Sequence, residues 1–143
     1  MIYDNEKIKR ILEDYAKEDP RRAWNIKSRL TRLRFERRIK LCAKLIPKNS
    51  FVLDLGCGSG RNFMKLEGVR LYGVDFSAEL LKFAEKNAKE LNVNVALKKS
   101  DVSEVPCDDN FFDTLVFIRP LLCVDSEDKR KKAVRDVDWK STR

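Results

Sequence analysis

Three carboxylates and a run of glycines hold the positions of this sequence that could do chemistry. Asp54 stands inside the apolar run Phe51-Val52-Leu53-Asp54-Leu55, directly before Gly56-Cys57-Gly58-Ser59-Gly60-Arg61-Asn62. Asp75 closes a second apolar run, Leu71-Tyr72-Gly73-Val74, and Asp101 follows a third, Val93 to Leu97. Glycines spaced Gly-x-Gly-x-Gly let a backbone turn sharply and approach a ligand closely, and a helix starting after them would turn its first amides toward that ligand. An acid at the tip of a second strand accepts hydrogen bonds from ribose hydroxyls. Asp75 lies 17 residues past Gly58, near the roughly 20 expected of nucleotide-binding folds. The spacing is not the Gly-x-Gly-x-x-Gly of dinucleotide sites, and there is no Gly-Lys-Ser/Thr phosphate loop. The chain contains no histidine, which excludes Ser-His-Asp and Cys-His hydrolysis, histidine-ligated zinc and imidazole base chemistry. Cys42, Cys57, Cys107 and Cys123 are scattered, with no Cys-x-x-Cys pair. They read as free, mostly buried thiols, with no metal site.

The elements that must carry these residues follow from periodicity. Phe51–Leu55 is short, apolar and bounded by turn residues, as a buried parallel strand is. The glycine run leads into a helix-like stretch through Phe63, Met64 and Leu66. Leu71–Val74 forms a second strand, and Ser77 caps a helix whose one face carries Leu80, Leu81, Phe83, Ala84, Ala88 and Leu91. Val93–Leu97 and Thr114–Ile118 give a third and a fourth strand, and Ser126–Val137 a further helix opened by Glu127 and Asp128. Alternating strands and helices imply an α/β fold with a parallel sheet.

Read together, these motifs resemble a known family. Val52-Leu53-Asp54-Leu55-Gly56-Cys57-Gly58-Ser59-Gly60 is similar to motif I of class I S-adenosylmethionine-dependent methyltransferases. Gly73-Val74-Asp75-Phe76-Ser77 resembles the second motif, and Ser100-Asp101-Val102 and Phe111-Phe112-Asp113 the third and fourth. The resemblance implies a Rossmann-like, doubly wound parallel sheet and S-adenosylmethionine as cofactor. It implies that Gly56, Cys57, Gly58, Ser59 and Gly60 shape the loop under the methionine part, with Asp54 bonding its ammonium. Asp75 would hold the ribose hydroxyls, with Phe76 packed on adenine and Ser77 beside them. Asp101 would accept from the adenine amino group and the Val102 amide would meet a ring nitrogen. Ile118 and Arg119 would lie near the transferred methyl. Transfer from a sulfonium is an in-line displacement that needs positioning and desolvation, so the missing histidine is compatible with it. Phe117-Ile118-Arg119-Pro120 is not the Asn/Asp-Pro-Pro-aromatic signature of amino-group methyltransferases, and the substrate-binding histidines of many relatives are replaced by Leu122 or Cys123.

Charge divides the chain. With 31 Lys and Arg against 23 Asp and Glu over 143 residues, the net charge is +8. Residues 1–20 carry −2, residues 21–48 carry +10 with Glu36 their one acid, and residues 49–143 balance to zero. The basic segment has apolar residues Trp24, Leu30, Leu33, Ile39, Cys42, Leu45 and Ile46 at roughly helical spacing, a stripe expected to face a core. Its cations, among them Arg29, Arg32, Arg34, Arg37 and Arg38, are either the solvated face of a docked helix or a footprint for phosphate, foremost RNA such as tRNA or rRNA. Arg22-Ala23-Trp24-Asn25-Ile26-Lys27-Ser28-Arg29 resembles the approach to the core in enzymes that methylate tRNA wobble uridines. A preceding amphipathic helix is marked by Ile8, Ile11, Leu12, Tyr15 and Ala16 and stopped near Pro20.

The expected organisation is a basic helical segment, residues 1–48, and a methyltransferase core, residues 49–143. About four strands are accounted for where the complete fold of this class has seven. A sheet ending at the fourth strand leaves an apolar edge, which invites a homodimer or another association, unless the N-terminal helices cover it. A truncated gene product is the further alternative. No apolar run reaches the roughly 20 residues that span a bilayer, and no secretory signal opens the chain, so a soluble, cytoplasmic protein is expected. Three functions fit: methyl transfer to RNA, methyl transfer to a small molecule, and cofactor binding without catalysis.

Overall fold

A computed structural model describes residues 29–63, 66, 68–105, 107–118, 124 and 126–140. The helix expected over residues 1–20 and the positions Trp24, Arg119, Leu122 and Cys123 lie outside them. The described elements are α1 (Arg29–Leu45), β1 (Phe51–Leu55), β2 (Arg70–Asp75), α2 (Ala78–Glu90), β3 (Val95–Lys99), β4 (Thr114–Val116) and α3 (Glu127–Lys140). The four strands make one parallel sheet in the order β3-β2-β1-β4. The chain moves outward from β1 through β2 to β3, then returns to the other side of β1. The reversal of direction between β1 and β4 is the switch point at which open α/β sheets bind ligands.

Alternation along β1 builds two cores. Val52 joins Leu71, Ala84, Ala88 and Val116 under α2, whereas Leu53 and Leu55 join Val74, Val102, Phe112 and Ala133 under α3. This is the doubly wound, Rossmann-like arrangement that the alternating elements imply. At the start of the sheet, Asp113 fixes the register of β4 on β1. Its carboxylate accepts from the Phe51 N–H at 2.8 Å, and its own N–H donates to the Phe51 carbonyl at 3.0 Å.

Three expectations are corrected. The helix-like stretch expected through Phe63, Met64 and Leu66 lies partly outside the described residues, among which turns run to Asn62 and Phe63 is 3₁₀. The third strand starts at Val95 rather than Val93, because Val93 belongs to the end of α2. Asn92 takes the left-handed conformation (φ 53°), its N–H donates to Lys89 and that of Val93 to Ala88, which is a Schellman stop. The fourth strand ends at Val116, two residues early.

The third correction concerns α1. Ile39 is buried to 2% and Cys42 and Ile46 are half-buried, but Leu30, Leu33 and Leu45 are exposed, as is Leu41. At 100° per residue, Leu30 and Leu41 point opposite Ile39, and a straight helix can bury only one such stripe. Cys57 is buried, Cys42 and Cys107 are half-buried, and none of the three forms a disulfide. Among the described residues there is no cluster of metal-ligating side chains and no helix long and apolar enough to cross a membrane.

Candidate functional site

The carboxyl ends of β1, β2 and β3 are stitched into one rim. The Gly56 and Cys57 N–H groups both donate to the Val74 carbonyl, at 2.7 and 3.0 Å, folding the glycine loop back over the tip of β2. The Asp75 carboxylate fastens it there: Oδ2 accepts from the Gly58 N–H at 2.8 Å and Oδ1 from the Ser77 N–H at 2.9 Å. Ser77 also caps α2, its hydroxyl accepting from the Leu80 N–H. From α2, the Asn87 side chain donates to the Ser59 carbonyl at 2.8 Å. The exit of β3 joins through the Ser100 N–H, which donates to the Asp75 carbonyl at 3.0 Å. Asp101, next in the chain, is exposed, and its Oδ1 accepts from the N–H and hydroxyl of Ser103. Asp54, the glycine loop, Asp75, Phe76, Ser77 and Asp101 thus gather at one edge of the sheet.

Two glycines show how the loop is used. Gly60 (φ +79°) lies against the buried ring of Phe63, where an added Cβ would sit 2.4 Å from a ring carbon. Gly58 (φ +55°) faces open space, with nothing within 4 Å of that position. One glycine makes room for the protein's own core; the other leaves room above the loop.

The electrostatics of this edge are unusual. Asp54 is 1% exposed, and burial pushes its carboxyl up to about 7 against the opposing hydrogen bond from Asn62, with the Asp75 charge adding to the rise. Asp75 is also raised by burial, against the backbone N–H groups of Ser77, Gly58 and Phe76. Among the described residues the donors to these two buried acids are neutral, the Asn62 amide for Asp54 and backbone N–H groups for Asp75, an arrangement that suits a cationic ligand.

Not every expected residue faces this space. Cys57 is core: its side chain takes up the space that a Cβ on Gly73 would need, and burial raises its thiol. The Val102 side chain is buried in the core beneath α3, which bears on its side chain and not on the amide expected at adenine, and the half-buried Ile118 packs on the core beneath α2. Asn62 was not anticipated. It lies eight residues past Asp54, and only its hydrogen-bonding capacity on an otherwise tight turn could have marked it. A cavity of about 340 Å³ opens elsewhere, lined by Tyr72, Lys98, Val105, Cys107 and Phe111 among others, and no residue of the glycine loop lines it.

The profile of a methyltransferase domain matches residues 52–138. The chain belongs to the class I S-adenosylmethionine-dependent methyltransferases. Among curated relatives, a carboxy-S-adenosyl-L-methionine synthase of Campylobacter concisus is 36% identical over 91 residues, covering 57% of this chain and 38% of that protein. A tRNA (carboxymethyluridine(34)-5-O)-methyltransferase of Arabidopsis thaliana is 29% identical over 106 residues, covering 73% of this chain and 25% of that one. The chain spans about a quarter to two-fifths of these relatives. A solved S-adenosylmethionine-dependent methyltransferase of Methanosarcina mazei shares the fold at a TM-score of 0.65 and 24% identity, over 71% of this chain and 52% of that one.

The family's cofactor is S-adenosylmethionine. The residues present fit it: a buried acid that no cation offsets among the described residues, suited to its ammonium, an acid at the tip of β2, and a loop glycine open to space.

Proposed function

We propose that this methyltransferase transfers a methyl group from S-adenosylmethionine to RNA, tRNA foremost, with the arginine face of α1 as its phosphate footprint. The observation that carries the cofactor half is the union of Asp54, Gly58 and Asp75 at the carboxyl ends of β1 and β2. S-adenosylmethionine, when bound, supplies a methyl on a positively charged sulfur, activated for in-line displacement. Asp54 would balance the ammonium and Asp75 would take the ribose hydroxyls, exchanging its bond to Gly58 or sharing it. Phe76, Ser77, Asp101 and the Val102 amide are assigned to the adenine side, and Ile118 and Arg119 to the neighbourhood of the methyl. What remains for the chain is orientation and the exclusion of water.

The acceptor half rests on charge. Arg29, Arg34, Arg37, Lys40 and Lys44 lie on α1 among exposed leucines, with Glu36 the one acid on that helix. The Arabidopsis relative, a tRNA methyltransferase by name, supports tRNA as the class. The name of the Campylobacter relative supports a second reading, chemistry on a small molecule, in which α1 is only a solvated face. β4, three residues long with β1 its single neighbour among the described strands, is the edge on which a second copy would pair.

Calorimetric titration with S-adenosylmethionine tests the first half, and absence of binding at high micromolar cofactor would sink it. Methyl transfer to bulk tRNA, with RNA binding that weakens with salt and is lost in the Arg34→Ala, Arg37→Ala, Arg38→Ala variant, is expected for the second. Transfer to small acceptors alone would move the assignment to the second reading.

A further inference from the structure

Asp54 lies in β1 in register with Gly73 of β2 and Val116 of β4, is 1% exposed, and its side-chain hydrogen-bond partner is Asn62. The Asn62 Nδ2 lies 3.1 Å from one carboxylate oxygen and 3.0 Å from the other, and both side chains are buried. Among the described residues, the titratable groups coupled to Asp54 are Asp75 at the tip of β2 and the Cys57 thiol of the loop, and neither supplies positive charge. A neutral amide gripping both oxygens stabilises the ionised form but falls well short of a cation.

We infer that Asn62 is a positioning residue for the cofactor: it holds the Asp54 carboxylate by both oxygens, and a cationic ligand group arriving there completes the ionisation of Asp54 and releases its proton to solvent. The inference rests on the S-adenosylmethionine reading and adds to it a residue and a proton. The sign follows from burial. Ligand-free Asp54 keeps its proton up to about pH 7. The cofactor's ammonium favours the carboxylate, so binding weakens as pH falls below that value, by roughly tenfold per pH unit at the acid end. Removing Asn62 takes away the one bond that opposes the rise, and the profile moves to higher pH.

The test uses the full chain, wild type and Asn62→Leu, with S-adenosylmethionine as the probe. In the ligand-free protein, carboxyl carbon NMR, assigned through Asp54→Asn, is expected to show a midpoint near 7 that rises in Asn62→Leu. Cofactor affinity in Asn62→Leu is expected to fall about tenfold at pH 6 and to recover toward pH 8. A loss that is the same at every pH, or a wild-type Asp54 midpoint below 5, overturns the inference. If Asn62→Leu does not fold, calorimetry of the wild type in two buffers of different ionisation enthalpy decides: proton release at pH 6 upholds it, and binding without release overturns it. A protein whose Asp54 titrates as stated but which binds no S-adenosylmethionine overturns the cofactor reading, and the ligand role of Asn62 with it. Cofactor binding without proton release overturns the inference alone.

Discussion

At Gly58 and Gly60 one added carbon has opposite consequences. Both residues hold positive φ, so alanine at either costs about 1–2 kcal/mol of backbone strain. At Gly60 the methyl also meets the ring of Phe63, which is fully buried and has nowhere to retreat. Gly60→Ala is expected to lose about 3 kcal/mol or more in denaturant unfolding. Gly58→Ala meets no protein atom, so it should fold with only the strain penalty while cofactor titration loses at least tenfold in affinity. Equal stability losses in the two variants would show that the open space at Gly58 is not ligand space. The glycine spacing was plain in the sequence. Which glycine serves the core and which faces the ligand was not, because that depends on where Phe63 folds back.

Among the elements, α1 separates pattern from burial most sharply. Its leucines and isoleucines all recur at near-helical intervals, and the sequence offers no way to choose between two apolar stripes on one helix. The choice is made by what lies beneath: Ile39 meets the core, whereas Leu45 stays 74% exposed. Ile39→Ala is therefore expected to cost about 2–4 kcal/mol in chemical unfolding, and Leu41→Gln to stay within about 0.5 kcal/mol. A large loss for Leu41→Gln would mean that its face is covered in solution. The strands were easier to read, since Val52, Leu71 and Thr114 begin runs bounded by turn residues. Their ends were not, because Val93 is apolar and β-branched yet is claimed by the Schellman turn after α2. Likewise the role of Asp113 in holding β4 to β1 depends on its two bonds to Phe51, 62 residues away in sequence, which no local pattern carries.

For the whole molecule, the two buried acids set a pH dependence. Asp54 holds its proton in the folded protein up to about 7 but releases it near 3.8 when unfolded. Its stabilising contribution is complete below the unfolded value and is lost as pH rises through the folded one. Asp75 shifts in the same direction. Ligand-free protein should therefore melt at progressively lower temperature between pH 4.5 and 7.5, and Asp54→Asn should flatten the decline in a thermal scan. A melting temperature that rises over that range would contradict the burial of Asp54 as described. The sheet order has a kinetic consequence of a different kind. β1, β2, α2 and β3 follow one another within residues 51–99 and pair with their chain neighbours, so their contacts close short loops. β4 must travel back across β1 from beyond residue 113, and it brings only three paired residues to offset that longer closure. It is the last strand to assemble and the first to open. In native-state hydrogen exchange, the amides bridging β4 to β1 should lose protection before those of β2, and Asp113→Ala, which removes the side-chain bond to Phe51, should advance that opening further.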